Sequence, residues 1–130
     1  MGRIRVLIAD DHKGMLDDIR GLLEPEFDVV GAVGDGQSLI SAADTFQPDV
    51  IVTDISMPRM NGIEAARLII QKNPTSRIVL LTAYKDSALL EQGLSVGALG
   101  YVLKLKADEE LSLAIHSALE DKRFVSPVVS

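Results

Sequence analysis

The sequence predicts a doubly wound α/β domain: a five-stranded parallel sheet with helices on both faces. Three observations lead there. Short unbroken runs of Ile, Leu, Val and Ala recur along the chain, as strands buried on both faces require. Each run is followed by a segment with apolar residues at helical spacing, in strict alternation. Aromatic residues make up only 4% of a chain that is 47% hydrophobic, so the core has to be aliphatic.

Ile4 to Ala9 reads as the first strand and stops at Asp10-Asp11-His12. Met15, Ile19, Leu22 and Leu23 then fall at helical spacing until Pro25 breaks the pattern. Phe27 to Val33 is the second strand, Gly34-Asp35-Gly36 a turn, and Leu39, Ile40, Ala43 and Phe46 mark the second helix. Val50 to Thr53 is the third strand. It delivers Asp54 into a turn rich in Ser, Pro, Asn and Gly that ends at Asn61-Gly62.

Ile63, Ala66, Ile69 and Ile70 give a third helix, ending near Asn73-Pro74. Ile78 to Thr82 is the fourth strand. Ser87 to Val96 is the weakest helix, since it carries Gly93 and ends at Gly97. Ala98 to Leu103 is the fifth strand, and Ala107 to Glu120 is a clear amphipathic helix with acids in its first turn. Arg123 to Ser130, with Pro127, reads as the start of a linker or tail, leaving residues 1–122 as the domain.

Composition narrows the function. With no Cys, a disulfide framework, thiolate chemistry and Cys-based zinc sites are excluded. No apolar run approaches the length of a membrane span, and the N-terminus reads as a strand rather than a signal peptide. A soluble cytoplasmic protein is therefore expected. The net charge of −6, from 19 acidic and 13 basic residues, argues against direct nucleic-acid binding and favours a cation, a basic partner surface or simple solubility.

In folds of this class, sites form at the carboxyl ends of the strands, where strand order reverses. The residues expected there are Asp10 and Asp11 after the first strand, Asp54 after the third, Thr82 after the fourth and Lys104 after the fifth. Three crowded carboxylates repel, each pair by roughly 4 kcal/mol at about 4 Å and an effective dielectric near 20. A cation should sit among them, and oxygen ligands suit Mg²⁺. Lys104 and Thr82 suit a tetrahedral anion beside it. The set is arranged either to bind a phosphoryl group or to accept one covalently.

Each residue also has a plainer reading. Asp10 or Asp11 could cap the first helix and Asp54 a turn into the third. Thr82 alone is a good strand residue, and Lys104 alone a solvated lysine. His12 reads as a surface residue beside the acids and His116 as a structural one. Gly34-Asp35-Gly36-Gln37-Ser38-Leu39 lacks the third glycine of a dinucleotide fingerprint and follows the wrong strand. The functional reading therefore rests on the shared edge.

Four stretches carry a family resemblance: Ile8-Ala9-Asp10-Asp11-His12, Asp54-Ile55-Ser56-Met57-Pro58-Arg59-Met60-Asn61-Gly62, Leu81-Thr82-Ala83, and Gly97 through Lys104. Together they make the chain, from about Ile4 to Leu119, resemble the receiver domain of bacterial two-component response regulators. The Asp-Asp-His form and Phe124-Val125-Ser126-Pro127 look most like the subgroup with a C-terminal helix-turn-helix DNA-binding domain. The resemblance implies a flavodoxin-like sheet in the order 2-1-3-4-5. It implies that Asp54 accepts a phosphoryl group from a sensor histidine kinase. Asp11, Asp54 and the backbone carbonyl of Ser56 would ligate Mg²⁺, with Asp10 holding a metal-bound water. Lys104 would pair with the phosphoryl oxygens, Thr82 would swing in to hydrogen-bond them, and Tyr101 would follow into the vacated space. Tyr101 has a plainer reading as a half-buried strand residue with its hydroxyl at the surface.

The implied output is transcription control through a DNA-binding domain beyond Ser130, with homodimer formation on phosphorylation. Such a domain would catalyse only its own phosphotransfer and dephosphorylation. One departure stands out: many receivers follow the lysine with Pro, whereas Leu105 follows Lys104 here, and a cis bond without Pro costs about 2.5–4 kcal/mol. Two other functions compete. One is a haloacid-dehalogenase-type phosphatase, which needs a second Asp where Ser56 stands and a nucleophile on the first strand. The other is an interaction domain that never takes phosphate.

Overall fold

The computed structural model describes residues 2–127. Strand β1 (Arg5–Ala9) shows how the chain divides its core. Val6 and Ile8 enter one apolar cluster, while Leu7 and Ala9 enter another on the opposite face. That period of two repeats in β3 (Val50–Asp54) and β4 (Ile78–Thr82), each buried along its whole length. A sheet covered on both sides needs apolar residues at every position, which is why these strands read as unbroken runs.

Helices α1 (Lys13–Leu23) and α5 (Ala107–Leu119) cover the first face through Ile19, Leu23, Leu111, Ala114, Ile115 and Ala118. The second face is closed by α2 (Gly36–Phe46), α3 (Gly62–Lys72) and α4 (Ser87–Ser95). Gly93 in α4 is a packing residue: a Cβ there would lie 2.4 Å from Leu80 Cδ1, so it lets α4 approach the sheet.

Adding β2 (Asp28–Val33) and β5 (Gly100–Leu103), all strands run parallel in the order β2-β1-β3-β4-β5, as expected. The order reverses at β1, between β2 and β3, so the expected crevice opens at the carboxyl ends of β1 and β3. Beyond β5 lies a sixth strand, β6 (Phe124–Val125), formed by residues the sequence reading leaves in the tail. Gly100 pairs with Phe124 and Tyr101 with Val125. Residues 128–130 of the tail lie outside the described residues. No helix among the described residues is long and apolar enough to cross a membrane.

Candidate functional site

Parallel register brings the strand ends together. Ala9 lies beside Thr53, Asp54 beside Leu81, and Thr82 beside Leu103. Asp10 follows β1 directly and Lys104 follows β5 as the first residue of a 3₁₀ turn (Lys104–Lys106). The centre of the site is the Lys104 ammonium, which lies 2.8 Å from Asp10 Oδ2 and 3.2 Å from Asp54 Oδ2. Two carboxylates from neighbouring strands share one cation.

Neither plainer reading as a cap survives. His12 is the N-cap residue of α1, and no side chain caps that helix. Asp10, 0% exposed, instead accepts the His12 N–H at Oδ1 over 2.9 Å. Helix α3 is capped by Asn61, whose Oδ1 accepts the Glu64 N–H at 2.8 Å. Asp54 Oδ1 accepts the N–H of Ile55 at 2.8 Å, and its backbone carbonyl accepts the Thr53 hydroxyl at 2.9 Å.

The electrostatics follow from burial. Loss of water pushes the Asp54 carboxyl above its ordinary value; Lys104 pulls it back and the Asp10 charge adds to the rise. For Lys104, burial alone would lower the ammonium, but Asp10 and Asp54 outweigh it and the net shift is upward. Lys104 is therefore a fixed positive charge at neutral pH.

Asp10, Asp11 and His12 cluster with one potential ligand atom each, all within 4.8 Å of one another. His12 Nδ1 lies 3.2 Å from Asp11 Oδ1 on a side chain that is 76% exposed, consistent with its reading as a surface residue. The donor set fits a hard divalent cation. Asp10 and Asp54 are oxygen donors set against one ammonium, and Asp11 lies beside Asp10. Asp10 Oδ2 is buried with the Lys104 charge beside it and no aligned hydrogen-bond donor. Ser56 is exposed in the loop after Asp54.

Thr82 and Tyr101 meet at a residue that sequence reading missed. Thr82 Oγ1 accepts the Tyr84 N–H at 3.2 Å, and the Tyr101 hydroxyl donates to the Tyr84 carbonyl at 3.0 Å. The Thr82 hydroxyl proton is uncommitted among the described residues, and Thr82 makes no hydrogen bond to Asp54. Tyr101 is 1% exposed, so it lies inward in this structure rather than half-buried with its hydroxyl at the surface. Tyr84 acts through its backbone, which no side-chain pattern announces.

The Lys104–Leu105 bond is trans, since no peptide bond among the described residues is cis. Leu105 is 86% exposed. His116 is structural as expected, tilted against Phe27 with ring centroids 5.4 Å apart and paired with Glu26.

Comparison with known proteins fits this arrangement. Residues 6–116 match the family described as response regulator receiver domain. The transcriptional regulatory protein DegU of Brevibacillus brevis is 33% identical over 130 residues, which covers 98% of this chain and 55% of DegU. A two-component response regulator of the LuxR family from Aurantimonas sp. SI85-9A1 superposes with a TM-score of 0.93 at 32% identity, covering 98% of this chain and 93% of that one. The isolated REC domain of RcsB from Salmonella enterica serovar Typhimurium, solved in the presence of the phosphomimetic BeF₃⁻, has a TM-score of 0.88 at 32% identity. That alignment covers 98% of this chain and 96% of that one. The chain spans about half the length of the curated relatives it matches. With the match running from β1 into α5 and the fold shared throughout, this chain belongs to the response regulator receiver domain family.

Proposed function

We propose that this domain is a phosphorylation-dependent signalling switch in which Asp54 accepts a phosphoryl group from the phosphohistidine of a sensor histidine kinase. The observation that carries this reading is a carboxylate at the end of β3 beside a buried ammonium shared with Asp10. A carboxylate oxygen of Asp54 attacks phosphorus. The new O–P bond forms as the N–P bond breaks, and the electron pair of that bond stays on the kinase imidazole. Hydrolysis reverses the state: water adds to phosphorus, the O–P bond breaks, and the Asp54 carboxylate returns with inorganic phosphate.

The chain's own groups serve this transfer. Lys104 counters part of the rise that burial imposes on the Asp54 carboxyl and so favours the anion that attacks. It then pairs with the phosphoryl oxygens. Thr82 has a free hydroxyl proton to donate to one of them. Asp11, Asp54 and the Ser56 carbonyl would hold Mg²⁺, with Asp10 reaching it through water, and the ion would supply positive charge to neutralise the phosphoryl group.

A dianion at Asp54 would draw the Thr82 hydroxyl toward it by its free proton, and the Tyr84 whose N–H that hydroxyl accepts is also the partner of Tyr101. That shared residue gives the two-state element a physical handle. The domain turns over only its own phosphoryl group, with no external metabolite as substrate. Relatives described as transcriptional regulatory proteins support a DNA-binding output domain beyond Ser130, and the same proposal includes homodimer formation on phosphorylation and a cytoplasmic location. The receiver takes in the expected residues 1–122 and also Phe124 and Val125 through β6, so the lead toward that output starts later than residue 123. The charge of −6 leaves DNA contact to the output domain.

The test is incubation with acetyl phosphate and Mg²⁺, followed by intact mass. A base-labile adduct of one phosphoryl group on the wild type, absent from Asp54→Asn, is expected. An adduct that persists in Asp54→Asn overturns the assignment, and sustained turnover of a generic phosphate ester would favour a phosphatase instead.

A further inference from the structure

The loop after Asp54 contains a backbone conformation that its residue type does not favour. Arg59 has φ +65°, in the left-handed region that side chains with a Cβ avoid. The Met60 N–H donates to the Pro58 carbonyl at 2.7 Å, across a single residue, which marks a γ-turn of the rare positive-φ kind. Such turns persist where the surroundings over-determine them.

Here the surroundings are explicit. Arg59 Nη2 donates to Asp35 Oδ2 at 2.9 Å. Asp35 in turn caps α2, accepting the Ser38 N–H at 2.8 Å and the Ser38 hydroxyl at 3.0 Å. A Cβ on Gly36 would lie 2.3 Å from the Met60 carbonyl oxygen, so the first turn of α2 sits directly on the loop. At the other end the Gly62 N–H donates to the Ile55 carbonyl at 2.7 Å, and a Cβ on Gly62 would lie 1.9 Å from the Asp54 carbonyl oxygen. Ser56 lies between these two fixed points.

We propose that the Arg59–Asp35 ion pair positions the acceptor loop, holding the Ser56 backbone where it serves as a Mg²⁺ ligand, so that two residues act on the cation without touching it. This rests on the reading of Asp11, Asp54 and Ser56 as the Mg²⁺ site. The bland account is a surface ion pair of little consequence. Two facts weigh against it. The Asp35 side chain is only 10% exposed, so one end of the pair is buried against α2. If loop shape were all the position required, glycine would adopt φ +65° without strain. What arginine adds is the guanidinium.

The experiment is a Mg²⁺ titration of the 130-residue chain, followed by backbone amide NMR shifts. It compares wild type, Arg59→Gly, Arg59→Lys and Asp35→Asn, with a thermal melt of each in metal-free buffer. Arg59→Gly should keep or raise the melting temperature, because the turn is relaxed, yet weaken the Mg²⁺ Kd on the order of tenfold. Asp35→Asn still caps α2 and should weaken it similarly. Arg59→Lys should recover part of the affinity. Unchanged affinity in Arg59→Gly and Asp35→Asn, with a wild type that binds, overturns the positioning role. A wild type whose Asp11, Asp54 and Ser56 amides do not respond to Mg²⁺ overturns the reading of the site itself, and the positioning role with it.

Discussion

The Tyr101 hydroxyl donates to the Tyr84 carbonyl at 3.0 Å, tying the buried ring on β5 to the loop that follows β4. The N–H of the same Tyr84 donates to Thr82. One backbone residue thus senses both side chains that the family resemblance singles out as the switch.

Replacing Tyr101 by Phe keeps the buried ring and removes only that donor. Stability should fall by about 1 kcal/mol, the ordinary net worth of such a bond. The sharper readout is hydrogen exchange from Tyr84 to Asp86, which should speed up relative to wild type. Exchange that stays the same there would show that the bond does not hold the loop.

Lys104→Met keeps the length of the side chain and deletes the charge between Asp10 and Asp54. Leaving buried carboxylates without their cation costs about 3 kcal/mol. Urea unfolding should show that loss in metal-free buffer, and Mg²⁺ should restore more stability to the variant than it adds to wild type. Equal Mg²⁺ effects on the two proteins would mean that the lysine and the metal do not share the carboxylates.

Acid should release the α2 cap. The Ser38 backbone amide, then Arg59, hold the Asp35 carboxyl down to about 2. A carboxyl depressed on folding contributes stability that is whole above its unfolded value, near about pH 4, and is lost as pH falls through the folded one. Asp35→Asn still caps but has no such proton to take up. The gap in melting temperature between wild type and Asp35→Asn should therefore close between about pH 4 and pH 2. A gap that is constant over that range would remove Asp35 from the acid limb.

At the far edge, Ser126 is fully buried, its N–H donating to the Tyr101 carbonyl at 2.8 Å and its hydroxyl to the buried carboxylate of Glu110. Ser126→Ala strands that carboxylate without its donor, at a cost of about 1–3 kcal/mol. Chemical denaturation measures the loss, and truncation after Lys122 should cost at least as much, because it also bares the edge of β5.

Much of this was readable before any coordinates. Strands buried on both faces cannot hide: Ile78 to Thr82 is apolar until the residue that meets the crevice. That end rule located Asp10, Asp54, Thr82 and Lys104 by position alone. What escaped acts through backbone or through pairs distant in sequence. Tyr84 contributes an N–H and a carbonyl, and Arg59 meets Asp35 across 24 positions. The depth of Tyr101 escaped because its neighbours Gly100 and Val102 do not show how closely that face is covered. The two residues of β6 are too few for a period of two to register.

That short strand changes how far anything attached beyond it can travel. Were the chain free from the end of α5, the seven residues from Glu120 to Ser126 would add up to roughly 23 Å of reach. Bonded to β5, they add none, and a tether begins its count no earlier than Pro127. Shorter slack means a higher effective concentration of whatever follows at the receiver's own surface. Moving the root of the tether by unpairing β6 would dilute it, with no change to either partner.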